Sequence, residues 1–287
     1  MAYNAGTVPT LAEEISGKFV PEIFSKNVIM HTKSNLVVAN AVNAEYKSDL
    51  KFGYKVHIPV MSEVTAAEVT PGTESTAINA VGTPTSITID QWRVAAIEES
   101  EMMSIEDNVG YLEKAAKSCA YAIAKDVDTK LGTLFSALSG GSVYGSDGQT
   151  LTDDIIIALM EALDEADVPD DDRVIITDPS SKADLLKIDK FVRNDYVRNP
   201  VVATGQFGNI YNMKVLITNN LTAVAAGIGN YGVMMHRDAL GLVIQENPYV
   251  QRIPMPWVHK TKYQVKVIYG VGELRDTFGK AFYTRKV

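Results

Sequence analysis

Three glycines, Gly227, Gly229 and Gly232, stand in the spacing G-x-G-x-x-G within AAGIGNYGVMM. That spacing serves a dinucleotide when a strand precedes it and a helix follows, so that the helix N-terminus meets the pyrophosphate. Here the following residues, GVMMHRDALGLVI, read as strands and a turn. The acidic residue expected about 20 positions on is also missing, since Glu246 comes too early. The three are therefore read as turn glycines. The histidines, His31, His57, His236 and His259, keep no metal-ligand spacing and read as surface or edge residues. Asp170, Asp171 and Asp172 lack the spaced oxygens and glycine of a calcium loop; they read as a solvated turn after Pro169, with a weak ion site as the alternative. Ser48 and Lys51 fit S-x-x-K without its companion motifs, and neither G-x-S-x-G nor a P-loop is present. Cys119 lies near a helical apolar stripe and reads as buried and inert. Arg193, Tyr196 and Arg198 suit phosphate binding or base stacking, and contacts between copies of the chain suit them equally well. No catalytic set, no metal site and no cofactor is expected.

The elements that would have to position any site are clearer than the site. Leu11, Ile15, Phe19 and Ile23 recur every four residues, an amphipathic stripe with no cover inside residues 1–45. In YKVHIPVM, Tyr54, Val56, Ile58 and Val60 alternate with Lys55, His57 and Pro59, which predicts a half-exposed edge strand. In SITIDQWRVAAI, Ile87 and Ile89 alternate with polar residues, and a slip of phase near Gln91 and Trp92 predicts a bulge. A two-stranded ribbon is marginal by itself in water, so a neighbouring copy is expected to cover this one. Residues 104–138 predict one long helix, with Ser104 and Asp107 at its start. Its stripe runs Val109, Leu112, Ala116, Ala120, Ile123, Val127, Leu131 and Leu134. After SGGSVYGSDGQT the chain alternates helix and strand: a helix from Thr152, the strand RVIIT, a helix opened by Asp178-Pro179, and the strand MKVLI. GVMMH, LGLVIQ, KYQVKVIYGVG and KAFYTRKV close it as strands.

Composition limits the function. The 287 residues carry a formal net charge of −8, which argues against a dedicated nucleic-acid binder. The charge is uneven: residues 98–172 hold 18 acidic residues against 4 basic, and residues 249–287 hold 8 basic against 2 acidic. Such asymmetry can steer one copy's end onto another copy's middle, or mark two solvated faces of one subunit. One cysteine allows no intrachain disulfide and suits a reducing cytoplasm, and no apolar run reaches the length of a membrane span.

The order of parts resembles the major capsid (coat) proteins of tailed bacteriophages, with the Hong Kong 97 fold, across essentially the whole chain. AYNAGTVPTLAEEISGKFVPEIFSKNVI is similar to the start of an extended arm, and FGYKVHIPVMSEVTA to the first strand of an extended loop. AYAIAKDVDTKLGTLF, with Asp128 and then Leu131, is similar to the end of a spine helix. RVIITDPSSKADLLK and GQFGNIYNMKVLITNNL are similar to an axial domain. The resemblance implies an α+β fold divided into an N-terminal arm (1–45), an extended β-hairpin loop (46–97), a peripheral domain with the spine helix (98–140), an axial domain (141–235) and closing peripheral strands (236–287). It implies a virion shell subunit, not an enzyme, that forms hexamers and pentamers of an icosahedral capsid around double-stranded DNA, after assembly in the host cytoplasm.

Its implied partners are other copies of itself, a scaffolding protein, a portal protein and a decoration protein; the DNA is held weakly and non-specifically, and no membrane is involved. Tyr54, Val56, Ile58, Val60, Ile87, Ile89 and Trp92 on the extended loop, and Arg193 and Arg198 on the axial domain, are the expected contacts between subunits. The chain begins almost directly at the arm, which is read as use of a separate scaffolding protein or none. An encapsulin-like nanocompartment shell is the nearest alternative. A phage tail or decoration protein and a small α/β nucleotide-dependent enzyme are the others.

Overall fold

The computed structural model describes residues 37–45, 53–59, 84–100, 111–188, 209–225 and 227–285, with single positions at 66, 68, 72 and 82. A short helix α1 (Val38–Ala41) precedes strands β1 (Lys55–Ile58), β2 (Thr85–Thr88) and β3 (Gln91–Ser100). The long helix α2 (Tyr111–Leu134) leads through a 3-10 turn to β4 (Val143–Tyr144). Then come α3 (Asp153–Asp164), β5 (Arg173–Thr177), α4 (Pro179–Leu185), β6 (Asn209–Ile210) and β7 (Met213–Ile217). β8 (Gly229–His236), β9 (Leu240–Met255), β10 (Lys260–Glu273) and β11 (Gly279–Arg285) complete the chain. They form a two-stranded ribbon β1-β2, a three-stranded sheet β3-β10-β9 and a six-stranded sheet β4-β11-β8-β5-β7-β6.

Helix α2 holds the two larger sheets together. Cys119, Ile123, Val127, Leu131 and Phe135 recur every four residues and are buried in one core with Val265, Val267 and Tyr269 of β10. Val174 and Ile176 of β5 and Val233 and Met235 of β8 join the same core. The opposite face of the six-stranded sheet packs Ile175, Met234 and Phe282 against Ile156, Leu159 and Leu163 of α3. With both faces covered, every residue of β5 is buried, which is why Val174, Ile175 and Ile176 are apolar in succession without alternation. The stripe expected on α2 is shifted in part. Ala120 is exposed and Leu134 half-buried, while Phe135 and Leu138 lie fully inside.

Polar groups fix how α2 lies on the three-stranded sheet. Asp126 accepts a hydrogen bond from the Tyr269 hydroxyl at 2.7 Å and pairs with Arg93 at 3.0 Å. Burial first, and the adjoining carboxylate second, push the Tyr269 hydroxyl's pKa upward, so it remains a donor. A second lock joins α4 to β11. The wholly buried Asp184 carboxylate accepts two bonds from Arg285, both at 2.7 Å. Asp178 caps α4 by accepting from the Ser181 N–H and also accepts from the Thr284 hydroxyl.

Two expectations are corrected here. The slip near Gln91 and Trp92 is not a bulge in one strand: the chain leaves the ribbon at Thr88 and enters a different sheet at Gln91. The closing strand β11 is not grouped with β9 and β10. It lies between β4 and β8, parallel to one and antiparallel to the other, in the six-stranded sheet.

Candidate functional site

The three glycines face the chain's own backbone and side chains, not an empty cradle. Gly229 and Gly232 lie in strand β8, which passes through a three-residue 3-10 turn (Arg237–Ala239) into β9 and not into an α-helix. A Cβ on Gly229 would come within 2.0 Å of the Thr284 carbonyl oxygen, and one on Gly232 within 2.5 Å of the Phe282 ring. The carboxylate of Asp147 accepts from the N–H groups of Ile228 and Gly229, both at 2.8 Å. Gly229 and Gly232 are packing glycines that let β8 approach β11 and the 145–148 turn, which corrects the reading of them as turn glycines; Gly227 does lie in a turn, donating its N–H to the Val224 carbonyl at 3.1 Å. The space a pyrophosphate would need is filled.

His236 is likewise corrected from surface residue to buried cap: its Nδ1 accepts from the Asp238 N–H, and its ring meets Phe278 edge-on. His57 and His259 are exposed. Asp170, Asp171 and Asp172 are exposed in a turn, and Asp170 pairs with Arg173. Cys119 is buried, and burial pushes its thiol up. Among the described residues, no group of three acidic, histidine or cysteine side chains could hold a metal ion. Among them, too, no helix is long and apolar enough to cross a membrane. A cleft of about 590 Å³ at the ribbon base mixes Glu45, Asp172 and Asp238 with Arg237 and Arg275, and shows no convergent set for a cofactor. His31, Ser48, Lys51, Arg193, Tyr196 and Arg198 lie outside the described residues.

What the chain does present is a surface. In the antiparallel pairing of β3, β10 and β9, Gln91, Arg93, Ala95 and Ile97 alternate inward toward α2. Trp92, Val94 and Ala96 therefore point outward, opposite Ile268, Lys266 and Gln264. Trp92 is 69% exposed and Val94 51%. Beyond them Tyr249 lies under the Lys266 ammonium at 4.7 Å, and Trp257 stands 77% exposed on the turn that joins β9 to β10. Lys260 and Lys262 share this outer face, Lys260 paired with Glu98.

The near end of the same outer face is already covered by the chain's own ribbon. Val56, Ile58 and Ile87 are buried against Val243, with Ile89 and Leu274 packed beside them. The close approach needs glycine: a Cβ on Gly270 would meet the Thr88 carbonyl oxygen at 2.4 Å. The expectation that the ribbon has no cover within its own chain is therefore corrected at its base. Val56, Ile58 and Ile87 serve the subunit's interior, Ile89 is half-buried, Tyr54 and Trp92 are exposed, and Val60 lies outside the described residues.

The apolar residues left bare on the sheet beside the subunit's own ribbon are the kind of surface that meets another chain. The comparisons agree. The model of the phage capsid protein family matches residues 61–279, more than half of the chain. A solved structure from Mycobacterium phage Che8 is similar at a TM-score of 0.76 and 22% identity, over 93% of this chain and 97% of that one. The capsid structure of cyanophage P-SCSP1u gives 0.75 and 14%, over 93% of each chain. The mature capsid of bacteriophage PhiM1 gives 0.68 and 17%, over 93% and 92%. No curated protein matches the sequence. The chain belongs to the phage capsid protein family: it is a major capsid protein of Hong Kong 97-like α+β fold, a structural protein of the virion that self-assembles, not an enzyme.

Proposed function

We propose that this chain forms the hexamers and pentamers of an icosahedral shell around the double-stranded DNA of a tailed phage, and that the extended loop of one copy lies on the outer face of the three-stranded sheet of the next. One observation carries the reading: the ribbon base covers the near part of that face, and beyond it Trp92, Val94 and Tyr249 leave uncovered apolar surface among lysines. Patches of this kind mark interaction sites. Charge supports the match. Residues 61–84 carry Glu63, Glu68 and Glu74 and no basic residue, whereas the face carries Lys260, Lys262 and Lys266. In this reading 1–45 is the arm and 46–90 the extended loop; residues 91–97, first grouped with that loop, go with β3 to the three-stranded sheet, which with α2 makes the peripheral domain. The six-stranded sheet is the core of the axial domain, so residues 279–285 belong to it.

Arg193 and Arg198 are proposed as contacts between axial domains around the symmetry axes, where each guanidinium would meet an acidic group of a neighbouring copy. Scaffolding, portal and decoration proteins complete the set of partners, and assembly takes place in the host cytoplasm. An acidic subunit suits a container that must not grip its DNA. The test is electron microscopy of the expressed protein beside a variant lacking residues 62–85. Closed shells from the full chain and only small, folded species from the deletion are expected. Normal shells from the deletion would overturn the loop-on-sheet contact.

A further inference from the structure

Asp128 is out of place in its helix. Its neighbours on the buried side of α2, Val127 and Leu131, are apolar, yet its carboxylate is 0% exposed. Burying a carboxylate is costly unless it is fully engaged, and a helix that only had to pack would place an aliphatic residue there. The partners are 91 and 89 positions away: Oδ2 accepts from the Val37 N–H and Oδ1 from the Ala39 N–H, both at 3.0 Å. These are first-turn donors of α1, whose own N-cap, Val37, has no side chain able to accept them. A four-residue helix does not hold itself together, so α1 exists because α2 caps it from outside. Burial pushes the Asp128 carboxyl up, and the backbone N–H groups oppose that.

Downstream the strap is fastened a second time. Val38, Ala41 and Val42 enter the main core. Asn43 then bridges β9, giving its N–H to the Leu240 carbonyl and accepting from the Leu242 N–H, while its side chain donates to Asp238 at 2.7 Å. Among the described residues, the bonds from Val37 and Ala39 to Asp128 are thus the anchor that stands next to residues 1–36. Those 36 residues could span at most roughly 120 Å when extended. A change in where Val37 sits is therefore a change in where those residues start.

We propose that Asp128 is a positioning residue for assembly: it sets the place and direction at which residues 1–36 leave the subunit, and the fold of the sheets does not require it. This rests on the reading of residues 1–45 as an arm that joins copies. The test uses Asp128→Leu in the full chain, with Asp128→Asn as a second variant should the first fail to fold. Each is also made in a chain lacking residues 1–36. The variant is expected to keep a cooperative melt and native near-ultraviolet circular dichroism. Amide exchange at Val37 and Ala39 should speed up at least about tenfold, and shell yield should fall about tenfold. Without residues 1–36, Asp128→Leu should cost no further yield, because two changes acting through one arm are not additive. Unchanged exchange, wild-type shell yield, or an additive loss in the shortened chain would overturn the proposal. If the unaltered chain forms no shells, the assembly reading fails by itself, while the exchange measurement on free subunits still decides the role of Asp128.

Discussion

Replacing Arg285 with methionine tests how the axial lobe is closed. The Asp184 side chain is 0% exposed and holds two bonds from Arg285 and a longer one, 3.2 Å, from the exposed Lys187. Burial alone would raise the Asp184 carboxyl, but the Arg285 guanidinium and Lys187 outweigh it and keep the group below its ordinary value of 3.8. Hydrogen bonds to charged groups contribute about 1.5–3 kcal/mol each, and a buried charge left without its partner costs about 3–5 kcal/mol. Arg285 is 30% exposed, so water screens part of this and about 3 kcal/mol is expected for Arg285→Met. For a chain of this length that is a loss of about 6 °C in Tm, followed by circular dichroism with variants held in one assembly state. Asp184→Leu combined with Arg285→Met should recover most of it, because no buried charge remains. The pH dependence has a definite sign. A carboxyl held low in the folded state stabilises above its unfolded value of 3.8 and loses that contribution as pH falls through its folded value. The gap between wild type and Arg285→Met should therefore be full at neutral pH and close in acid. A single variant melting within about 1 °C of wild type at pH 7, or a double variant less stable than the single one, would refute the reasoning.

Three further substitutions separate one packing contact from another and assembly from folding. Gly229→Ala drives a methyl group into the Thr284 carbonyl and should cost about 3 kcal/mol, whereas Gly227→Ala meets only side chains, the Asp147 carboxylate at 2.5 Å and the Val224 methyl at 2.7 Å, and should cost less, about 1 kcal/mol; urea unfolding measures both, and equal losses would contradict the geometry. Trp92→Ser removes an exposed ring and should leave the melt within about 0.5 kcal/mol of wild type while shells become fewer by electron microscopy. Unaltered shell yield would remove Trp92 from the contact.

Local patterns were legible where the physics is local. The four-residue recurrence behind α2, the apolar run of β5 and the Asp178-Pro179 helix start all follow from neighbours in sequence, and the structure bears them out. What two-residue alternation cannot tell is which sheet a strand joins. Ile87 and Trp92 carry the same strand pattern, yet Ile87 ends inside the subunit and Trp92 on its bare face. LGLVIQ was legible as a short strand, but β9 runs on to Met255 through Pro248 and Pro254, which an edge strand tolerates. The glycines of β8, the buried His236 and the clamp of Asp128 all depend on partners from elsewhere in the chain. Gly229 meets Thr284, His236 meets Phe278, and Asp128 meets Val37, so nothing in the flanking residues announces them.

The placement of β11 has a consequence for how the shell recruits its members. Strand β4 reaches the rest of its sheet only through β11, and β8 gains its second neighbour only when β11 arrives. The same strand supplies Thr284 and Arg285, which tie down α4. A nascent chain on the ribosome therefore holds an open lobe until residue 285 has emerged. Chains truncated before that point lack a finished lobe to offer a neighbour. Arrival of β11 is thus the step that turns this lobe from an open sheet into a finished surface.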